Sequence, residues 1–92
     1  MTGWQLVRVV WHDAHGATSG WTHHGDIDPA PAEIQTVGWL VPNVKPGHLV
    51  VVQSIDPHGN VDNAIAIPTS MVREVLQLSS VALLPVESQL VA

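Results

Sequence analysis

Histidines and aspartates that could bind a metal ion are concentrated in one part of this 92-residue sequence, between residues 12 and 33. Four of the six histidines lie there, in two short groups, and they are His12, His15, His23 and His24. Imidazole nitrogens and carboxylates are good ligands for Zn²⁺ and Ni²⁺, and a loop can bring two such groups together. The alternative is a hydrated loop whose histidines titrate near neutral pH. Because the spacing matches no specific metal motif, the sequence favours the hydrated loop.

The tryptophans are the second set of residues that could bind a ligand, and they are Trp4, Trp11, Trp21 and Trp39. Stacking of a nucleobase on an aromatic ring contributes about 1–3 kcal/mol per base. A tryptophan on a strand is more often part of a core, and the apolar row of Trp39 indicates a core or a subunit interface. Trp11 lies beside the long loop and Trp21 lies within it, and these two are therefore the better stacking candidates.

A polar run, His58-Gly59-Asn60-Val61-Asp62-Asn63, is the third candidate. Amide and carboxylate groups can hydrogen-bond base edges or ribose hydroxyls, and a glycine permits close approach of the backbone. The alternative is a hairpin turn with a polar face, which the turn-forming residues favour. Asp62 and Asn63 point to opposite faces of a strand, so both line one pocket only if a bulge intervenes.

Charge is sparse in this chain: three basic residues stand against eight acidic ones, a formal net charge of −5. This balance argues against binding of long nucleic acids, which depends on neutralising many phosphates. The absence of cysteine excludes disulfides and thiolate metal sites. Neither a signal peptide nor an uninterrupted run of 18 apolar residues is present, so we expect a soluble, intracellular protein without a membrane span.

Alternating apolar residues and turn signals predict five strands, and these are Gly3–Trp11, Ile34–Val41, His48–Ile55, Val61–Ile67 and Val72–Leu78. The segment 72–78 also fits two turns of helix, and strand is the preferred interpretation. Both side-chain rows of the first strand are largely apolar, which predicts that it is covered on both sides or lies at an oligomer contact. Its Arg8 is expected either at the rim or against a carboxylate.

The order of elements predicts an all-β fold, a small SH3-like barrel of about five strands covering residues 1–78. It has a long first loop, which Trp21 is expected to pin to the barrel, and one 3₁₀ turn before the last strand. The segment Ile67-Pro68-Thr69-Ser70-Met71-Val72 resembles the I-P-S-x-Y-V piece of SH3 domains. Proline-peptide binding is not expected, because the chain has no tyrosine. The apolar tail, residues 79–92, is expected to pack on its own barrel or on a neighbouring subunit.

The sequence also resembles a widespread group of short proteins encoded by tailed phages. The resemblance covers about residues 5–78 and rests on Trp11-x-Asp13, Gly20-Trp21, Val37-Gly38-Trp39-Leu40-Val41, Asp62-Asn63 and Ile65-Ala66-Ile67-Pro68. Members of this group often have a serine after the Trp-x-Asp motif, where this chain has Ala14. That departure argues against a role for a hydroxyl group at this position.

Small phage proteins of this kind include oligomeric sponges that sequester cyclic nucleotide or cyclic ADP-ribose signals of host defence systems such as CBASS and Thoeris. The resemblance implies a non-enzymatic, cofactor-free homo-oligomer in the cytoplasm of an infected bacterium. Its expected ligand-binding residues are Trp11, Asp13, Trp21, Arg8, His58, Asn60, Asn63 and Arg73, with the two arginines as phosphate donors. Two alternatives stay open: a module that docks on a host or virion protein, and a metal-binding loop.

Overall fold

Antiparallel strands make up most of the structure, a computed structural model that describes residues 3–79. In chain order the strands are β1 (Leu6–Asp13), β2 (Ala32–Val41), β3 (His48–Ile55), β4 (Val61–Pro68) and β5 (Val72–Gln77). They form one sheet of order β4-β3-β2-β1-β5. The predicted all-β class, the five strands and the 3₁₀ turn at Thr69–Met71 are confirmed. A second 3₁₀ turn, His24–Asp26, lies in the long loop and was not predicted.

The long strand β2 joins two halves of the sheet. Its residues from Ala32 to Trp39 pair with β1, whereas those from Trp39 to Val41 pair with β3. Gly38 lies where the partner changes, and a Cβ atom there would lie 2.5 Å from the Val52 carbonyl oxygen. A glycine inside a strand marks such a bend, because no side chain obstructs the close approach of another backbone. The sheet therefore folds over at Gly38.

The hydrophobic core lies between the two halves of this folded sheet. Its buried residues come from β1, β3 and β4, and they are Val7, Val9, Trp11, Val51 and Ile67. Partly buried side chains complete it, and they are Ile34, Leu40, Leu49, Ile65 and Val72. Burial of β-branched side chains of this size stabilises the fold by about 1.5–3 kcal/mol each, as an upper bound.

The hydrogen-bonded sheet does not close into a barrel within residues 3–79, because β4 and β5 are its two edges. The described part is thus an open sheet folded over its core, with its elements in the chain order expected for the small barrel. Apart from Ser79, the tail for which the sequence predicts a packing role lies outside the described residues. Over the same 3–79 range, no helix is long and apolar enough to cross a membrane.

Candidate functional site

The turn between β3 and β4 is held by one carboxylate. Asp56 Oδ1 accepts hydrogen bonds from the backbone N–H of His58 at 2.9 Å and of Asn60 at 2.8 Å. Its Oδ2 accepts from the Asn60 side-chain amide at 2.9 Å. These donors, the Asn60 amide first, lower the pKa of Asp56 below its ordinary value, because they stabilise the charged form. The turn-forming sequence thus fixes the position of His58.

Two tryptophans meet this turn at a cavity of about 730 Å³, which we call the aromatic pocket. The pocket is lined by Gly3, Trp4, Trp39, Ile55, Asp56, Pro57, His58 and Gly59. Its volume falls within the range of about 300–1,000 Å³ that is typical of small-molecule sites. Apolar and aromatic surface with a few polar groups is also the usual lining of such sites.

Strand pairing explains how Trp39 reaches this pocket. It pairs with Leu6 of β1 and with Val52 of β3, so it lies where the two halves of the sheet meet. Paired residues share a face, and Leu6 and Trp39 are on the face opposite the core residue Val7. The half-buried Trp39 is therefore not in the core, and its other predicted place, a subunit interface, stays a prediction. The backbone N–H of Leu40 donates to the Gln5 carbonyl at 2.8 Å, which brings the segment carrying Trp4 to the same place.

A second cavity, of about 550 Å³, lies at the turn between β2 and β3. It is lined mainly by that turn and by Thr69, whose backbone N–H and hydroxyl both donate to the Gly47 carbonyl. Among the described residues no tryptophan lines it, and half of its lining residues belong to the Pro- and Gly-containing turn between β2 and β3. The aromatic pocket is accordingly the better candidate for ligand binding.

Trp11 is not available as a stacking surface, which corrects the prediction from the sequence. It is 8% exposed, belongs to the core and donates its indole N–H to the Thr36 hydroxyl at 3.0 Å. The physical reason is the strand alternation, which places Trp11 in the same row as Val7 and Val9. A buried indole needs a partner for its N–H, and Thr36 on the paired strand provides it.

Trp21 and Asp13, the other loop residues of the expected site, do not reach the aromatic pocket. Trp21 is fully exposed, so it does not pin the loop to the sheet as expected. Asp13 ends β1 and accepts a hydrogen bond from the Ala14 backbone N–H at 2.8 Å. Of the predicted ligand-binding residues, His58 alone lines the aromatic pocket.

The expected phosphate donors are also separated from the pocket. Arg73 donates to His12 Nδ1 and to the Ser70 carbonyl, each at 3.2 Å. Arg8 is on the interior strand β1 rather than at the rim, and it pairs with residues of both neighbouring strands. Asn63 has a left-handed backbone, φ 54°, and donates its backbone N–H to Asp62. Asn60 acts inside the turn, as a donor to Asp56.

The histidines of the long loop do not form a metal centre. Among residues 3–79, no group of three or more His, Asp or Glu side chains could hold a metal ion. The His23 and His24 rings stack on each other with centroids 4.3 Å apart. His12 lies in β1, outside the loop segment that carries this pair, and accepts a hydrogen bond from Arg73.

His15 instead connects the two ends of the loop. Its Nε2 lies 2.6 Å from the Ala30 carbonyl oxygen and its Nδ1 lies 3.2 Å from the Gly16 carbonyl oxygen. A neutral imidazole carries one N–H and can satisfy one of these acceptors, whereas an imidazolium can satisfy both. The Ala30 and Gly16 carbonyls accordingly raise the pKa of His15, with a smaller contribution from Asp28.

The fold and the site define a small all-β protein with an aromatic pocket at the junction of its two half-sheets. Comparison with protein-family models, with curated proteins and with solved structures finds no match to this chain. The resemblance to short phage proteins therefore stays a prediction from the sequence motifs.

Proposed function

We propose that this protein is a non-enzymatic binding protein whose aromatic pocket holds a small planar ligand. A nucleobase, as part of a small nucleotide signal, is the first ligand class to test. The observation that carries the proposal is that Trp4 and Trp39 line one cavity with the turn that presents His58. Indole faces bind planar rings by stacking without requiring any reacting group.

The polar groups of the aromatic pocket support binding rather than catalysis. Asp56 is the carboxylate in its lining, and both of its oxygens are engaged in holding the turn. Its lowered pKa keeps it charged at neutral pH, which makes it a poor general acid or base there. His58 is exposed in the turn and can donate to or accept from a base edge.

The charge of the lining favours the ring of a ligand over its phosphates. Within residues 3–79 neither lysine nor arginine lines the pocket, and Asp56 places a negative charge at it. A phosphate beside this carboxylate is repelled, so a nucleotide would bind with its base on the indoles and its phosphates directed to solvent or towards His58. We therefore expect nucleosides to bind about as well as the corresponding nucleotides.

Thermal-shift screening with cyclic dinucleotides, cyclic ADP-ribose isomers and the parent nucleosides tests this function. A ligand that binds only the folded state raises the melting temperature. For any ligand found, Trp39→Ala should weaken binding by the ~1–3 kcal/mol of a lost stacking partner, about 5- to 150-fold in Kd. Trp21→Ala is the matched control, because it removes a fully exposed indole that lies outside the pocket lining. Absence of a shift with every compound at large excess would overturn the proposal.

A role in docking on another protein is the second candidate, and one observation favours it. The face of the sheet opposite the core carries exposed apolar side chains around Arg8, including Leu6 and Val37. Such a face is typical of protein interaction surfaces. Trp39 lines the aromatic pocket and, paired with Leu6, also lies on this face, so the two candidate functions share one residue.

A further inference from the structure

The permanent charge in the lining of the aromatic pocket has one sign. Asp56 is in the lining, whereas none of the three lysine and arginine side chains of the sequence is. Lys45 lines the second cavity. Arg73 donates to His12, and Arg8 is outside the lining. A ligand in the aromatic pocket therefore meets a negative charge that no lysine or arginine of the lining offsets.

The turn between β3 and β4 holds this negative charge in place without neutralising it. The groups that donate hydrogen bonds to Asp56 are the backbone N–H groups of His58 and Asn60 and the Asn60 side-chain amide. All three donors are uncharged, so they fix the position of the carboxylate and leave its full charge. The carboxylate is thus a fixed anion on the wall of the aromatic pocket.

The two indoles of the aromatic pocket favour a ligand of the opposite charge. The face of an aromatic ring carries negative potential and attracts a cation within about 6 Å of the ring centre, and tryptophan does so best. Trp4 and Trp39 are half-buried and line the same cavity. Ile55 and Pro57 add apolar surface, which an organic ring can cover and a hydrated metal ion cannot. Indoles, carboxylate and apolar surface together fit an organic cation.

We propose that the aromatic pocket selects a planar heteroaromatic cation, a ring such as an N-alkylated pyridine or purine that carries its positive charge within the ring. The ring lies against the indoles of Trp4 and Trp39, and the Asp56 carboxylate attracts its charge. A neutral ring of the same shape gains the stacking alone. This inference rests on the proposed function, because it specifies the charge of the planar ligand that the pocket holds.

Two compounds of the same size, 1-methylquinolinium and 4-methylquinoline, isolate the effect of charge. Both are planar bicyclic rings with one methyl group, and at neutral pH only the first is a cation. Titration of the full chain with each compound is followed by the indole N–H signals in ¹H–¹⁵N NMR spectra. The signals of Trp4 and Trp39 should shift and that of the exposed Trp21 should not. The Kd of the cation should be about 2- to 30-fold lower than that of the neutral ring.

An isosteric substitution tests the part played by the carboxylate. Asp56→Asn removes the charge and keeps an oxygen that can accept from the turn, so it should weaken the cation up to about fivefold and leave the neutral ring unchanged. Asp13→Asn is the matched control, since it removes the same charge at a residue paired with Ala32. Ala32 is seven residues from Trp39 in β2, about 23 Å at about 3.3 Å per residue. The control should change neither Kd.

The outcomes separate this inference from the proposed function. Equal Kd values for the two compounds, both raised by Trp39→Ala, overturn the selection of a cation and leave the pocket as a site for planar rings. Trp4→Ala serves in place of Trp39→Ala if the latter does not fold. A preference for the cation that Asp13→Asn lowers as much as Asp56→Asn does also overturns the inference, because the acidic surface as a whole then attracts the ligand. If neither compound at large excess moves the indole signals, the proposed function is overturned as well.

Discussion

The indole N–H of Trp11 donates to the Thr36 hydroxyl at 3.0 Å, across the paired strands β1 and β2. Trp11 is 8% exposed, so water cannot easily replace this acceptor. One hydrogen bond thereby lets a polar ring atom lie in the apolar core between the two half-sheets. It also removes Trp11 from the residues that could stack on a ligand.

Thr36→Val should destabilise the protein by about 1–3 kcal/mol, because a valine of similar shape leaves the buried indole N–H without an acceptor. Urea unfolding followed by circular dichroism measures the change. Thr18→Val is the matched control, since Thr18 is exposed in the long loop. In a Trp11→Phe background the same Thr36 substitution should cost little, and a full cost there would contradict the assigned hydrogen bond.

Gly38→Ala should destabilise the fold more than any other glycine-to-alanine change in the sheet region. The added methyl would lie 2.5 Å from the Val52 carbonyl oxygen and 2.7 Å from Val51 Cγ1, both of which are held in β3. Overpacking of this kind costs about 1–3 kcal/mol. Gly16→Ala is the control, because a Cβ atom at residue 16 would meet nothing within 4 Å. Thermal unfolding of the two variants side by side checks the prediction, and equal melting temperatures would refute it.

The long loop should be best ordered when His15 is protonated. Its pKa is raised in the folded state, chiefly by the Ala30 carbonyl. Its stabilising contribution is therefore complete below the unfolded pKa, about 6.5, and is lost as pH rises through the folded value. Amide exchange of the loop, after correction for the intrinsic pH dependence, should increase over that range. His15→Gln should remove this pH dependence, whereas His24→Gln should preserve it.

The turn between β3 and β4 should respond to acid in the opposite sense. The Asn60 side chain, more than any other group, lowers the pKa of Asp56 in the folded protein. The stabilisation that the charged Asp56 gives the fold is therefore present above the unfolded pKa and is lost as pH falls through the folded pKa. Asp56→Ala should accelerate hydrogen exchange at the His58 and Asn60 amides at neutral pH, because both lose their acceptor. Asp62→Ala, which affects the neighbouring Asn63 amide, should leave those two amides unchanged.

Asp56→Ala should also weaken any ligand of the aromatic pocket, because the turn that presents His58 forms one wall of it. The expected loss is smaller than that of Trp39→Ala, since the indole surfaces remain in place. Isothermal titration with the ligand found by thermal shift compares the two variants. An unchanged affinity in both would exclude the aromatic pocket as the binding site.

The secondary structure follows from local chemistry and was predictable from the sequence. Alternation of apolar residues identifies the strands, and β3 begins and ends at the predicted residues, His48 and Ile55. Pro and Gly residues identify the turns, and Pro68 followed by Thr69 predicts the short 3₁₀ turn before β5. The pairings β1–β2, β2–β3 and β3–β4 follow because consecutive antiparallel strands tend to pair, whereas β5 pairs with β1, which is not its neighbour in the sequence.

The position of each tryptophan was decided by the tertiary structure alone. Both side-chain rows of β1 are apolar, so alternation defines two faces without saying which one is inside. Because the sheet folds over at Gly38, the row of Trp11 is enclosed in the core. Trp39 is left on the outer side of the sheet, where its side chain lies beside the turn at Asp56. Residues 39 and 56 come together through strand pairing across a bend, and no local sequence signal reports such a contact. Composition and periodicity thus determined the strands, and the bend at one glycine determined the site.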